Sequence, residues 1–319
     1  MALGLPPRTP AHDPVGISCM MTPECFYAGA MTAKQVVLAE YLRARRAALK
    51  PEDVGYPPDP QRRVRGLRRE EVAERAGISL EYYVRLEQGQ NHRISEQVLE
   101  ALARALDLDD SGRSYLYKLA LPSPSDARLQ ETDHEVTPRL RALLDQWAGT
   151  SAEIFDRNQD LIFVNSLAAA LAPGYSIPGN NYVVMMFETP LENRSNERWR
   201  ETARDSVAAL RFHADPDDPR LQQIVDQLMP DADFREFWLA HEARPFSSGL
   251  APNFVDGYGW VELPFQVLDV PGGLFMNVIV PEPDSPAGFA IEHLLARLRG
   301  PDDADELDET QAEASAAAR

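Results

Sequence analysis

Apolar residues recur at three- and four-residue spacing from about residue 33 to residue 120, the period of helices that bury one face. Leu38, Tyr41, Leu42 and Leu49 share a face of a segment over about 33–49. Pro51 ends that segment, and 51–66 is a loop rich in Pro, Gly and Arg. Leu67, Val72, Ala73 and Ala76 predict a second helix over about 67–76, followed by a third over about 80–88. Val98, Leu99, Leu102 and Leu106 point inward from a fourth over about 95–106, and Tyr115, Leu116 and Leu119 from a fifth over about 110–120.

Beyond residue 136 the pattern mixes periods. Thr137 and Pro138 open a helix with Leu140, Leu143, Leu144 and Trp147 on one face. Short apolar runs, Ala152–Asp156 and Leu161–Asn165, flank a polar turn and predict a hairpin, with a small Ala-rich helix starting at Asn165. Helical patterns follow at about 195–212, 218–228 and 231–242, strand patterns at 253–256, 259–268 and 273–280, and a last helix near 287–299. The expected fold is an all-α five-helix bundle followed by an α+β domain. The expected divisions are a disordered leader over 1–30, the bundle over 31–120, a Pro- and Ser-containing linker over 121–135, the second domain over 136–300 and a disordered acidic tail over 301–319. Met31 opens directly onto the first helical pattern and is an alternative start to Met1.

Charge changes this picture only when it is resolved along the chain. The formal net charge of −18 argues against a nucleic-acid partner. Residues 31–120, however, carry 16 Lys and Arg against 14 Asp and Glu, whereas residues 121–319 carry 15 against 34. Nine of the basic residues fall within 43–69. Salt screens charges beyond about 10 Å, so the local balance matters more than the total. The two cysteines, Cys19 and Cys25, give no disulfide framework or zinc site, no apolar run would span a bilayer, and a cytoplasmic location is expected.

The sharpest motif lies between the second and third helices. Gly77 supplies the left-handed backbone that closes a helix, and Ser79 can cap the next one two residues later. With Ile78, Tyr83 and Leu86 turned inward, Leu80, Glu81, Tyr82, Val84 and Arg85 face outward, where a helix can read a major groove. Arg68 and Arg69 stand at the start of the second helix, where unbonded N–H groups favour a phosphate, and His92 and Arg93 follow the third. The candidate DNA-binding residues are therefore Arg68, Arg69, Ser79, Leu80, Glu81, Tyr82, Arg85, His92 and Arg93.

The pattern Leu67-x5-Ala73-x3-Gly77-x-Ser79-x3-Tyr83-x2-Leu86-Glu87-x-Gly89, with Leu99-x2-Leu102-Ala103-x2-Leu106 after it, resembles the XRE (lambda-repressor-like) helix-turn-helix. The Pro/Arg loop with Gly66–Val72 and Tyr82–Gly89 is similar, more narrowly, to the MmyB-like actinobacterial regulators. Leu161–Asn165 and Phe237–Glu242 resemble stretches of their C-terminal PAS-like domain. That resemblance implies a transcription regulator with double-stranded DNA as partner and a small hydrophobic ligand. A homodimer reading two half-sites is expected, with no cofactor and no membrane. Candidate ligand-lining residues are Phe163, Asn165, Met186, Trp199, Trp238, His241, Phe246 and Trp260. No G-x-S-x-G, H-E-x-x-H, P-loop or G-x-G-x-x-G helix start occurs, so an enzyme is not expected. A catalytic second domain and a pure protein-interaction module are the alternatives.

Overall fold

The computed structural model describes residues 31–57, 60–90, 93–121, 136–147, 149–194 and 197–299. The expected leader, nearly all of the expected linker and the acidic tail lie outside these residues. Five helices form the first part: α1 (Ala33–Ala48), α2 (Arg69–Ala76), α3 (Leu80–Glu87), α4 (Glu96–Ala105) and α5 (Asp110–Ala120). Thr32 and Gln35 cap α1 reciprocally, and Asp109 caps α5 by accepting from Gly112 N–H at 2.7 Å. Tyr41, Leu42, Leu67, Tyr83, Leu99, Leu102 and Leu116 are fully buried and form one core. The expected 51–66 loop contains a short 3-10 turn, Pro51–Val54. Its far end is fixed where Leu67 N–H donates to Arg46 O at 3.0 Å.

The second part holds seven more helices and five strands among the described residues. These are α6 (Pro138–Asp145), β1 (Ser151–Phe155), β2 (Leu161–Val164), α7 (Ser166–Leu171), α8 (Tyr182–Glu188), α9 (Glu197–His213), α10 (Pro219–Leu228), α11 (Ala232–Leu239), β3 (Gly249–Val255), β4 (Gly259–Val270), β5 (Leu274–Ile279) and α12 (Pro286–Arg299). The strands form one antiparallel sheet in the order β2-β1-β5-β4-β3. Alternation along β1 and β5 splits their side chains between two faces. Ala152, Ile154, Met276 and Val278 pack with Leu140 and Leu144 of α6. On the other face Val261, Leu263 and Ile279 pack under α7 and α12, and Phe155 and Phe275 join Leu161 in a separate cluster. Helices α8 to α11 build a layer of their own around Val183, Leu210, Ile224 and Phe234.

The expected α+β arrangement is present, with two departures. Strand β3 starts at Gly249, earlier than its apolar run, and includes Pro252. It is an edge strand, where a residue lacking an N–H is tolerated. Helix α8 did not stand out as a helix in the sequence. It is nucleated by Asn181, whose side chain accepts from Val184 N–H at 3.1 Å and donates to Asn158 O at 2.7 Å.

The bundle and the second domain meet at the end of α9. Phe212 packs on the bundle core with its ring 5.9 Å from Tyr115. Lys118 of α5 donates to the carbonyls of Phe212 and His213, and Arg45 of α1 donates to Ala240 O at 2.5 Å. Arg211 is buried, with its guanidinium 3.8 Å from the Trp238 ring centroid and a hydrogen bond to Trp238 O.

Gly66 marks a close approach of loop to helix. A Cβ there would lie 2.4 Å from the carbonyl oxygens of Arg46 and Ala47. Gly66→Ala should lower stability by about 1–3 kcal/mol in thermal or denaturant unfolding, the usual cost of overpacking. Gly149→Ala, where a Cβ meets nothing within 4 Å, is the control and should leave stability near the parent value.

Candidate functional site

The α2–turn–α3 unit is built by the residues its sequence pattern singled out. Gly77 closes α2 at φ 66°, and Ile78 N–H reaches back to Ala73 O at 3.0 Å. Ser79 then caps α3 by accepting from Tyr82 N–H at 3.1 Å, so its side chain is committed to starting the helix. Tyr83 and Leu86 point into the core, and Leu80, Glu81 and Arg85 are exposed. Tyr82 is half-buried, and the Arg85 guanidinium lies 5.8 Å from its ring centroid, which narrows the space Arg85 samples. Arg93 is exposed, and His92 lies outside the described residues.

Behind this face sits a buried carboxylate. The Glu87 side chain is 1% exposed and takes Arg46 at 2.5 Å and Arg69 at 2.6 Å. It thereby ties α1, the start of α2 and the end of α3 together. Burial alone would raise the Glu87 carboxyl, but hydrogen bonds from Arg46 and Arg69 hold it below the ordinary carboxylate range. Sequence reasoning had reserved Arg69 for phosphates and did not see this ion pair. Arg69 Nε is engaged internally while half of the side chain stays exposed. A second clamp, Arg62 on Glu71, is similarly enclosed, and Glu71 also accepts from Arg68 N–H at 2.6 Å. Part of the basic run over 43–69 is therefore spent on internal pairing, and Arg63 and Arg65 remain exposed.

The eight candidate ligand-lining residues do not converge. Phe163 packs on the α6 side of the sheet with Arg141 over its ring. Asn165 spends its side chain on backbone, accepting from Ala152 and Ala168 N–H and donating to Thr150 O. Met186, Trp199 and Trp238 belong to the helical layer. His241 lies near the bundle, where burial, Arg211, Arg45 and Arg43 push it down to about 4, so it is neutral at pH 7. Trp260 is 74% exposed beside Phe254 on the β3–β4 hairpin. Only Phe246 reaches the inner sheet face, where it meets Phe155 at 5.0 Å, Phe275 at 4.6 Å and the stacked His213 at 4.3 Å.

That inner face holds residues the sequence reading missed. Glu153 of β1 is buried and accepts from the hydroxyls of Ser176 and Tyr182 and from Asn277 Nδ2 at 3.3 Å. One charge inside the otherwise uncharged run Ser151–Phe155, two residues from Phe155 and so on the same face, was the available signal. From Tyr182 the rings continue through Phe155, Phe246, His213 and Phe212 to Tyr115 and Tyr41 of the bundle, each within 6 Å of the next.

Comparison with protein families matches residues 37–116 to a helix-turn-helix domain and residues 136–295 to the MmyB-like transcription regulator ligand binding domain. No curated protein matches the chain significantly. Among the described residues no helix is long and apolar enough to cross a membrane.

The Glu87 clamp sets a pH dependence. A carboxyl depressed in the folded state adds stability above its unfolded value, about 4.3, and that stability is lost as pH falls through the folded value. Glu87→Gln should cost about 2–3 kcal/mol at pH 7, because it leaves Arg46 enclosed without its counter-charge. In urea titrations the gap between parent and variant should shrink steadily below about pH 4. A gap that stays constant down to pH 2 would contradict the clamp.

Proposed function

Since the chain belongs to the MmyB-like transcription regulators, with a helix-turn-helix domain ahead of the ligand binding domain, we propose that it binds double-stranded DNA sequence-specifically and answers to a small molecule. The observation that carries this reading is the division of α3. Tyr83, Leu86 and Glu87 hold it from inside, and Leu80, Glu81 and Arg85 stand outside on the helix that follows the Gly77 turn. In the XRE manner α3 would enter the major groove, with Arg85 donating to a guanine and Leu80 touching thymine methyls. Arg69, oriented by Glu87, would meet a phosphate together with Arg68, and Arg93 would grip the other side.

The second domain is the PAS-like sensor in this reading. It acts on the bundle through the ring series from Tyr182 to Tyr115 and through the contacts of Lys118 and Arg45. A ligand changes DNA affinity only if it prefers one arrangement of this junction. Two copies would place two α3 helices in successive major grooves. The edge strand β3, with exposed Phe254 beside exposed Trp260, offers a self-complementary surface for that dimer. A chromosomal DNA partner implies a cytoplasmic site of action.

Selection from a random DNA library should return a single motif with two related half-sites. Recovery of no enriched motif would contradict the reading. On that motif Arg85→Ala should cost about 1–3 kcal/mol and relax one base position, with little effect on random DNA. Arg69→Ala should weaken binding to all sequences and lower the slope of log affinity against log salt by about one. Fluorescence anisotropy at several salt concentrations reads both.

A further inference from the structure

We infer that Glu153 anchors an amine-bearing, preferably aromatic, small molecule in the second domain, an inference that rests on reading this domain as a sensor. The argument begins with what surrounds the carboxylate. Glu153 is 7% exposed, and its three partners, Ser176, Tyr182 and Asn277, are all neutral. The other enclosed glutamates answer to arginine: Glu71 to Arg62, and Glu87 to Arg46 and Arg69. Among the described residues no Lys, Arg or His pairs with Glu153. A carboxylate taken out of water without a cation is costly to hold.

Asn277 sharpens the argument. Its Nδ2 donates to Glu153, and its Oδ1 is sequestered with no donor. Turning the amide over would put Oδ1 against the carboxylate, so chemistry fixes this orientation. The same spot therefore presents an acceptor lacking a donor and an anion lacking a cation. An ammonium group supplies positive charge and up to three donors at once. A ligand carboxylate supplies neither and would meet Glu153 as a like charge.

The walls suit the remainder of such a molecule. Phe155, Phe275, Tyr182, Phe246, Met185 and Val267 cluster on this face. Aromatic faces attract a cation as well as an apolar body. A groove of about 530 Å³ shares Met185 with the cluster and passes Tyr175 and Asn181, which flank Ser176 and Tyr182 in sequence. Occupancy at Glu153 bears on Tyr182, and through it on Phe155, Phe246 and His213.

Thermal-shift titration of the full chain at pH 7.5 with phenethylamine, 2-phenylethanol and 3-phenylpropionate tests the class. Phenethylamine should raise Tm in a saturable way, the alcohol less, and the acid not at all. In Glu153→Gln, which removes the charge and keeps one accepting oxygen for either Ser176 or Tyr182, the response to phenethylamine should weaken at least tenfold. The acid stabilising where the amine does not, or an amine response untouched by Glu153→Gln, would overturn the inference. The parent-protein comparison stands even if the variant fails to fold. Native mass spectrometry of protein from its own host separates this from the sensor reading. A co-purified molecule without an amine keeps the sensor and removes the amine class. A co-purified amine displaced by phenethylamine supports both.

Discussion

Three consecutive residues at the C-terminal end of α9 serve three different packed regions. Arg211 lies over the Trp238 ring beside the helical layer and also faces Tyr115 of the bundle. Phe212 enters the core of the five-helix bundle. His213 lies against Phe246 and Phe275 on the inner sheet face and accepts from Phe246 N–H at 3.1 Å. Burial, with Lys118 and Arg157 nearby, pushes that imidazole down to about 3, so it remains neutral and able to accept. The positions of bundle, helical layer and sheet are all referred to one helical turn. A displacement there is felt in all three, because packed interiors do not deform continuously.

The bundle was legible in sequence because its determinants are local. Gly77, Ser79 and the apolar spacing of α2, α3 and α4 act within a few residues of one another. The spacing also placed the sheet domain, although Pro252 obscured the start of β3 and the helix start at Asn181 was passed over, so that α8 was missed. The candidate ligand site was not legible, for a physical reason. Glu153, Ser176, Tyr182 and Asn277 come from two strands, one helix and a loop spread over more than a hundred residues, and no periodicity links them. Large aromatics such as Trp199 and Trp238 drew attention by size, yet they fill the helical layer. Asn165 looked like a polar ligand group and is a helix cap. The ion pairs within the basic run were equally hidden, since a run of arginines reads the same whether it faces solvent or a buried glutamate.

Charge is used in two ways in this chain. Arginines inside the bundle are spent on Glu71 and Glu87, which are enclosed and depend on them. On the second domain Arg194 is likewise enclosed, on Asp231, whereas Arg200 and Arg204 pair with Glu236 and Glu242 nearer the surface, where each bond adds little. Helix α3 itself is positioned by internal ion pairing, through Glu87 to Arg46 of α1 and Arg69 of α2.

The attachment of α3 has an evolutionary consequence. Its inward residues Tyr83 and Leu86 and the Glu87 clamp are enclosed, whereas Leu80, Glu81 and Arg85 are exposed. If α3 reads bases as proposed, substitution at Leu80, Glu81 or Arg85 would redraw which sequence is recognised while leaving the buried side of the helix untouched. On that reading, descendants of one such gene could diverge to new operators in single steps, with the junction to the second domain inherited intact.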